Sequence, residues 1–261
     1  MLISDLSSDT LSVVCAERIA TITLKRPKVL NALDRPQRQR LDQALRALDA
    51  RDDVRVIILT GEGRAFCAGQ DQNESAGMTA EDSARRISDY MGLYRSIRSL
   101  NKPLIARING YATGSGLQIA LLCDIRIASA SAKLGMPELN VGSAAIVGSA
   151  LMQPIVGEAV MKKLVLTADI IDAQHAQHLG ILDEVYPDEP QMDARVAALA
   201  AKFADWQPMA ISITKKWWKK MSDAQFEAAA REAAEGHALN FASGAYTEGA
   251  RRFKEQKQGR K

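Results

Sequence analysis

The stretch Asn109-Gly-Tyr-Ala-Thr-Gly-Ser-Gly-Leu-Gln-Ile-Ala-Leu-Leu-Cys-Asp124 decides the fold. Its glycine-rich turn follows an apolar run, Leu104 to Asn109, and opens a second apolar segment from about Leu117 to Cys123. An extended run, a glycine turn and a helix in this order are typical of layered α/β proteins. Amides at the start of such a helix point at negative groups. The stretch therefore predicts an α/β fold with a turn that can hold negative charge.

Three further runs have the length and β-branched content of strands, namely Ile19 to Leu24, Val54 to Thr60 and Asp124 to Ala130. Helical patterns lie between the runs. One of them begins after Asp34 and Pro36, which are typical of a helix cap and a first helical turn. This alternation predicts parallel pairing of the strands.

From about residue 191 the strand pattern ends and Ala-rich amphipathic segments follow: Met192 to Phe203, Met209 to Lys220 and Ala224 to Phe241. Such helices have few aromatic side chains and make a poor core of their own, so we expect them to pack on the α/β part or on another subunit. We divide the chain into an α/β core, 1–190, and a helical C-terminal region, 191–261.

The composition is that of an ordinary globular protein, with 47% hydrophobic and 25% charged residues and a net charge of +3. The chain has no uninterrupted apolar run of about 18 residues and no signal-like N-terminus, so we expect a cytoplasmic protein without a membrane segment. Cys15, Cys67 and Cys123 are far apart and form no Cys-x-x-Cys pair, so we expect free thiols and no structural metal.

A second glycine-rich turn, Thr60-Gly-Glu-Gly-Arg-Ala-Phe-Cys-Ala-Gly-Gln-Asp71, also directly follows a predicted strand. Two such turns after neighbouring strands can bring backbone amides to one oxygen, and an enolate oxygen is the kind of developing charge that they stabilise. Gly114-Ser115-Gly116 only partly matches a dinucleotide fingerprint, and the chain has neither a P-loop nor a Gly-x-Ser-x-Gly elbow.

Glu138 is the candidate acid/base. Its neighbours Met136, Pro137, Leu139 and Val141 are apolar, and burial among them would raise the pKa of the carboxyl toward neutrality. A solvent-exposed glutamate in a loop is the alternative that this segment leaves open.

The motifs together resemble the crotonase (enoyl-CoA hydratase/isomerase) superfamily. Besides 109–124, they are Asn31-Ala-Leu-Asp34, Arg64-Ala-Phe-Cys-Ala-Gly-Gln-Asp71, Pro137-Glu138, Leu166-Thr-Ala-Asp-Ile-Ile-Asp-Ala-Gln174, Leu179-Gly-Ile-Leu182 and Glu248-Gly249 followed by Phe253. They occur in the family's order along almost the whole chain.

The resemblance implies a spiral of ββα units, a helical C-terminal region used in trimer formation, and a homotrimer or a dimer of trimers. It also implies an acyl-CoA thioester as substrate, with no separate cofactor and no metal. The oxyanion hole would consist of the backbone amides of Gln70 and Ser115, in turns set by Gly69, Gly114 and Gly116.

In family terms, several residues would line the path of coenzyme A: Arg26, Val29, Leu30, Ala68 and Asp71. Phe253 and the neighbouring basic residues of the tail, among them Lys257, would contact coenzyme A bound to an adjacent subunit.

One position departs from the family's hydratases, which carry a second glutamate where this chain has Gln118. Glutamine binds water but does not accept a proton, so Glu138 is left as the one obvious acid/base. A single carboxylate suffices for a 1,3 proton shift. Hydration stays open, because Gln118 and the amide near Ile146 can position a water, and decarboxylation of a malonyl-type thioester is a third possibility. Bulky Ile146 and Val147 would narrow the acyl pocket.

Other functions are less well supported by the sequence. Lys215-Lys-Trp-Trp-Lys-Lys220 mixes basic and aromatic residues as RNA-binding helices do, although a wet face with Trp218 and Met221 turned to the core or a partner explains it better. An acyl-CoA-binding relative without turnover is another alternative. The variable stretch of about 73–100, with Tyr90 and Tyr94, is expected to form a helical lid over the acyl group.

Overall fold

The computed structural model describes residues 3–74 and 78–258, except the side chains of residues 250, 253, 254 and 256–258. Its strands are β1 (Leu11–Ala16), β2 (Ile19–Leu24), β3 (Val56–Gly61), β4 (Ala65–Cys67), β5 (Leu104–Ile108), β6 (Tyr111–Thr113), β7 (Ile125–Ser129), β8 (Lys133–Gly135), β9 (Ile170–Asp172) and β10 (Glu184–Tyr186). Its α-helices are α1 (Arg35–Asp49), α2 (Ala80–Ser99), α3 (Ser115–Leu122), α4 (Ile146–Val156), α5 (Glu158–Thr167), α6 (Ala173–His178), α7 (Glu189–Ala204), α8 (Pro208–Ala242) and α9 (Ala245–Gln258). Short 3₁₀ turns lie at Ile3–Leu6, Pro27–Val29 and Pro137–Val141.

The strands of the described residues form two sheets. The larger has the order β1-β2-β3-β5-β7-β10, with β1 antiparallel to β2 and parallel pairing from β2 onward. The smaller has the order β4-β6-β8-β9, in which β9 is antiparallel to β8. The predicted parallel pairing of the four apolar runs is confirmed.

The chain repeats one unit along these sheets. Each unit consists of a strand in the larger sheet, a strand in the smaller sheet and a helical segment. The first strands are β3, β5 and β7, the second strands are β4, β6 and β8, and the helical segments are α2, α3 and the Pro137–Val141 turn with α4. The expected spiral of ββα units with a helical C-terminal region is therefore confirmed. Its first two units each carry one of the glycine-rich turns.

Burial on both faces explains the apolar strands. Along β3, Ile57 and Leu59 face the main core, whereas Val56 and Ile58 pack against Met192 and other side chains of α7. Parallel strands covered by helices read as continuous apolar runs for this reason. The three-residue strands of the smaller sheet are too short to give such a pattern, and the sequence did not predict them.

The C-terminal helices differ from the prediction at one point. The segments expected before Lys220 and after Ala224 are parts of one helix, α8. Ser222 and Asp223 look like a helix end in the sequence, but both side chains accept hydrogen bonds from Arg98 of α2, at 3.1 and 2.9 Å. These contacts hold α8 against α2 through the expected break.

Asp34 caps α1 as predicted, since its side chain accepts a hydrogen bond from the Gln37 amide at 2.9 Å. Cys15, Cys67 and Cys123 carry free thiols. No helix in the described part of the chain is both long and apolar enough to cross a membrane.

Candidate active site

The two glycine-rich turns meet at the ends of β4 and β6. Gly69 has φ +93°, and a Cβ added there would lie 2.7 Å from the Thr113 carbonyl oxygen and 3.2 Å from the Ser115 amide nitrogen. An L-residue disfavours this backbone conformation, so glycine is needed for both the turn and the close approach. The spiral thus brings residues 69 and 115 into contact.

The backbone amides of Gln70 and Ser115 are available for an external acceptor. On one side of the 69–71 segment, Leu33 donates to the Gly69 carbonyl at 2.8 Å and accepts from the Asp71 amide at 3.2 Å. The Gln70 amide therefore points to the other side. Ser115 is the first residue of α3, where helical amides have no partner within the helix. Neither amide donates to another described residue.

A buried polar network joins the side chains of both turns. The Tyr90 hydroxyl donates to Gln70 Oε1 at 2.8 Å and accepts from Ser115 Oγ at 3.1 Å. The Arg38 guanidinium lies over the Tyr90 ring at 4.7 Å and pairs with Glu74, whose Oε2 accepts from Gln70 Nε2 at 2.6 Å. Since Tyr90 and Arg38 are nearly fully buried, this network fixes how the two turns sit relative to each other.

Glu138 lies at the end of a second hydrogen-bonded chain. The buried Tyr94 hydroxyl donates to Gln118 Oε1 at 2.9 Å, and Gln118 Nε2 donates to Glu138 Oε1 at 2.9 Å. Tyr94 thereby fixes the orientation of the Gln118 amide. Burial, together with the nearby Tyr90 and Glu138, raises the pKa of Tyr94 well above its usual range, so the hydroxyl stays a donor.

Burial raises the pKa of Glu138, and the hydrogen bonds from its own backbone amide and from Gln118 oppose that rise. Its second oxygen, Oε2, is buried and has no hydrogen-bond partner among the described residues. Gly114, at φ +54°, lies beside the carboxylate, since a Cβ there would be 3.6 Å from Oε1. The carboxyl is therefore placed next to the Ser115 turn, with one oxygen held and the other available.

The N-terminus of α4 closes this side of the site. A Cβ at Gly148 would lie 3.1 Å from Gln118 Nε2, so glycine lets α4 approach the amide. The half-buried Ile146 contacts α8, because its Cδ1 is 2.6 Å from where a Cβ at Gly236 would stand. Val147 is buried beside it. Ile146 thus packs on α8, while Val147 belongs to the buried core.

The segment predicted to line coenzyme A runs beside the Gly69 turn. The Leu30 carbonyl accepts from the Ala68 amide at 2.9 Å, and Arg26 Nη2 lies 2.9 Å from the Asp71 carboxylate. Val29 is in the adjoining 3₁₀ turn. The structure brings these residues together, with the buried Asp71 holding Arg26, and their contact with coenzyme A stays a prediction. The side chains of Phe253 and Lys257 lie outside the described residues.

The sequence missed the two tyrosines as site residues. Tyr90 and Tyr94 were expected in a lid, whereas α2 turns both inward and leaves Tyr94 only 1% exposed. Arg86, Tyr90 and Tyr94 recur at i, i+4 and i+8, which places them on one helix face. This spacing is the sequence feature that could have identified Tyr90 and Tyr94 as neighbours on the inward face of α2.

The basic segment of α8 is divided between two environments. Lys215 is buried and forms an ion pair with Asp124, while Trp217 and Trp218 are 61% and 54% exposed. Trp218 and Met221 therefore do not face the core of this chain, and burial against a partner stays a prediction. His175 lies on α6, and no group of three potential metal ligands occurs in the described part of the chain.

Comparison with known proteins gives concordant matches. The model of the enoyl-CoA hydratase/isomerase family matches residues 15–260. A 2,3-dehydroadipyl-CoA hydratase of Escherichia coli is 33% identical over 214 residues, covering 81% of this chain and 82% of that protein. An (E)-benzylidenesuccinyl-CoA hydratase of Thauera aromatica is 36% identical over 204 residues, covering 77% and 78%. The crystal structure of an enoyl-CoA hydratase from Mycobacterium avium subsp. paratuberculosis is 25% identical, with a TM-score of 0.85 over 96% of this chain and 97% of that one.

Proposed function

The chain belongs to the enoyl-CoA hydratase/isomerase family and is an enzyme of that family, and on this premise we propose that it moves protons on an enoyl-CoA thioester with Glu138 as its acid/base. The thioester carbonyl would accept hydrogen bonds from the Gln70 and Ser115 amides. Donors fixed in this way stabilise the charge that develops on the oxygen as an enolate forms.

Oε2 of Glu138 supports this role most directly. A buried polar atom without a partner is unfavourable in a folded protein, and a substrate C–H or a water in the site is the reactant that such an oxygen would meet. The raised pKa of the Glu138 carboxyl brings it closer to the pH at which one group both accepts and returns a proton.

For the reaction itself, the geometry favours a 1,3 shift of the double bond. Gln118 is committed to Tyr94 and Glu138 by its two hydrogen bonds and has no acid/base capacity. Glu138 would remove a proton at C2 or C4 of the acyl chain and return it at the other carbon. Both transfers need one carboxyl and a stabilised dienolate, and no water.

Hydration is the second candidate, and the relatives favour it, since the two described above are named as hydratases of 2,3-dehydroadipyl-CoA and of (E)-benzylidenesuccinyl-CoA. The free N–H of Gln118 and the amides that begin α4 at Ile146 would then hold the water that Glu138 activates. We propose that bulky Ile146 and Val147 narrow the acyl pocket, which would oppose this candidate.

One experiment separates the candidates. The purified protein is incubated in D₂O with 2-enoyl-, 3-enoyl- and malonyl-type CoA esters, and products are followed by mass spectrometry. Deuterium incorporation with a moved double bond identifies isomerisation, a gain of one water identifies hydration, and loss of CO₂ identifies decarboxylation. If every ester stays unchanged while still binding, the chain would instead be a binding protein without turnover.

Coenzyme A is proposed to lie along Arg26, Val29, Leu30 and Ala68, which border the Gly69 turn, with Phe253 and Lys257 of a neighbouring subunit completing its site. We further propose a homotrimer, alone or doubled into a hexamer. Four exposed apolar side chains at four-residue spacing on α8 support such contacts: Met209, Ile213, Trp217 and Met221. A cytoplasmic location and the absence of RNA binding complete the proposal.

A further inference from the structure

Arg86 of α2 is a buried cation without a carboxylate. It is 6% exposed, and no Asp or Glu among the described residues lies within ion-pair distance of it. Its contacts are with Tyr246 of α9, whose hydroxyl accepts from Nη1 at 2.8 Å and whose ring lies 4.8 Å from the guanidinium. Arginine is seldom buried unless it is paired.

The other arginines around Arg86 all have a carboxylate partner, whereas Arg86 has none among the described residues. It lines a cavity of about 280 Å³ with three more arginines at the N-terminal end of α2. Each of the three has a carboxylate: Arg35 pairs with Asp89, Arg38 with Glu74 and Arg85 with Glu81. Asp82, the remaining carboxylate that lines the cavity, accepts hydrogen bonds from Thr79 and forms no ion pair with a described residue. Among the described residues, Arg86 is therefore the arginine of this cavity that has no carboxylate within ion-pair distance.

The side chain facing Arg86 from α8 offers no negative charge either. Burial and the charge of Arg86 lower the pKa of His237 to about 4, so the imidazole is neutral near pH 7. Tyr90, one turn further along α2, is also neutral, because burial raises its pKa to about 12. His237 and Tyr90 therefore place no negative charge beside the guanidinium.

Arg86 stands beside the proposed acyl site. On α2 it precedes Tyr90, which contacts Ser115, by one turn, a rise of about 6 Å. On α8, His237 follows Gly236, which packs on Ile146. The cation is thus bounded by the same two helices that flank the Ser115 turn and Ile146.

We propose that Arg86 binds a carboxylate at the far end of the acyl group, so that the substrate is a thioester of a short dicarboxylic acid. This inference rests on the proposed function, because it presupposes an acyl-CoA with its carbonyl at the Gln70 and Ser115 amides. A guanidinium binds a carboxylate through two parallel hydrogen bonds, and the substrate carboxylate would be the ion-pair partner that Arg86 lacks among the described residues.

The test uses saturated thioesters, which bind without reacting. Affinities of succinyl-, glutaryl- and adipyl-CoA are measured by calorimetry against butyryl-, pentanoyl- and hexanoyl-CoA. We expect at least one dicarboxylic ester to bind about 30-fold tighter than its monocarboxylic counterpart, and R86Q to abolish that preference while keeping the monocarboxylic affinity.

R85Q is the matched control, since it removes the same charge from the adjacent, exposed and already paired position in the same cavity. An equal loss of preference in R85Q and R86Q would overturn the specific role of Arg86. Monocarboxylic binding in wild type with no preference for any dicarboxylic ester would overturn the inference and leave the proposed function standing. Failure of every thioester to bind would overturn both. The wild-type comparison decides the matter even if R86Q does not fold.

Discussion

Replacing Tyr94 with Phe removes one hydroxyl from the chain that ends at Glu138. The lost bond to Gln118 Oε1 is 2.9 Å long and buried, and its removal leaves a buried acceptor unpaired, which costs about 1–3 kcal/mol of unfolding free energy. Y186F is the matched control, because it removes the same atom from a 2.7 Å bond to Glu184 far from the site. We expect that control to cost about 0.5 kcal/mol.

The same change should alter the pH dependence of activity. Without Tyr94 the Gln118 amide loses its fixed orientation and its hold on Glu138, so the pKa of Glu138, already raised by burial, rises further. If the ionised carboxylate starts the reaction, kcat/KM increases with pH through that pKa. The acid limb should then move to higher pH in Y94F and stay in place in Y186F.

Urea unfolding at equal protein concentration and pH–rate profiles measure the two effects. A stability loss in Y94F no larger than that in Y186F, together with an unmoved acid limb, would refute the reasoning that Tyr94 orients Gln118.

Three further predictions concern the site and the assembly. E138Q should lower kcat/KM by about 100- to 10,000-fold. Near pH 7 the variant should nevertheless unfold at higher urea than wild type, because the raised pKa of Glu138 disfavours the ionised carboxyl in the folded chain. This gain in stability should shrink as the pH falls to the ordinary glutamate pKa of about 4.3, and equal stability of the two proteins at all pH values would contradict the prediction. G69A should lower activity by about 100-fold or more, since its Cβ would lie 2.7 Å from a backbone carbonyl oxygen. G157A is the control, because Gly157 also has a positive φ, +78°, but a Cβ there would meet no described atom within 4 Å. The control should lose about 1 kcal/mol of unfolding free energy and keep its turnover. I213D/W217D should dissociate the proposed trimer in sedimentation velocity, and an unchanged sedimentation coefficient would place the contacts elsewhere.

The sequence predicted those parts of the fold that depend on local pattern. Apolar runs buried on both faces, as in β3, and the Asp34 cap are visible in single segments. The glycine-rich turns were also predictable from the sequence, because residues other than glycine fit poorly at the positive φ of Gly69 and at its close approach to residue 115. Order along the chain then placed the two turns on neighbouring strands.

What the sequence did not predict depends on contacts between distant segments. Tyr94 contributes to the site only because α2 packs over α3, and nothing near it in the chain signals Gln118. The continuity of α8 through Ser222 likewise depends on Arg98 of another helix. Nothing in the local sequence distinguishes Arg86 from an exposed arginine, because its burial depends on Tyr246 of a distant helix.

The hydrogen bonds of the Tyr90 hydroxyl affect how the protein folds to its active form. The hydroxyl bonds to Gln70 in the first ββα unit and to Ser115 in the second, and its own helix, α2, belongs to the first unit. These contacts join residues 20 and 25 positions apart, and loop-closure entropy opposes them, so we expect them to form late in folding. Helical circular dichroism should therefore recover early during refolding, while catalytic activity returns only with the slow phase in which the two units dock.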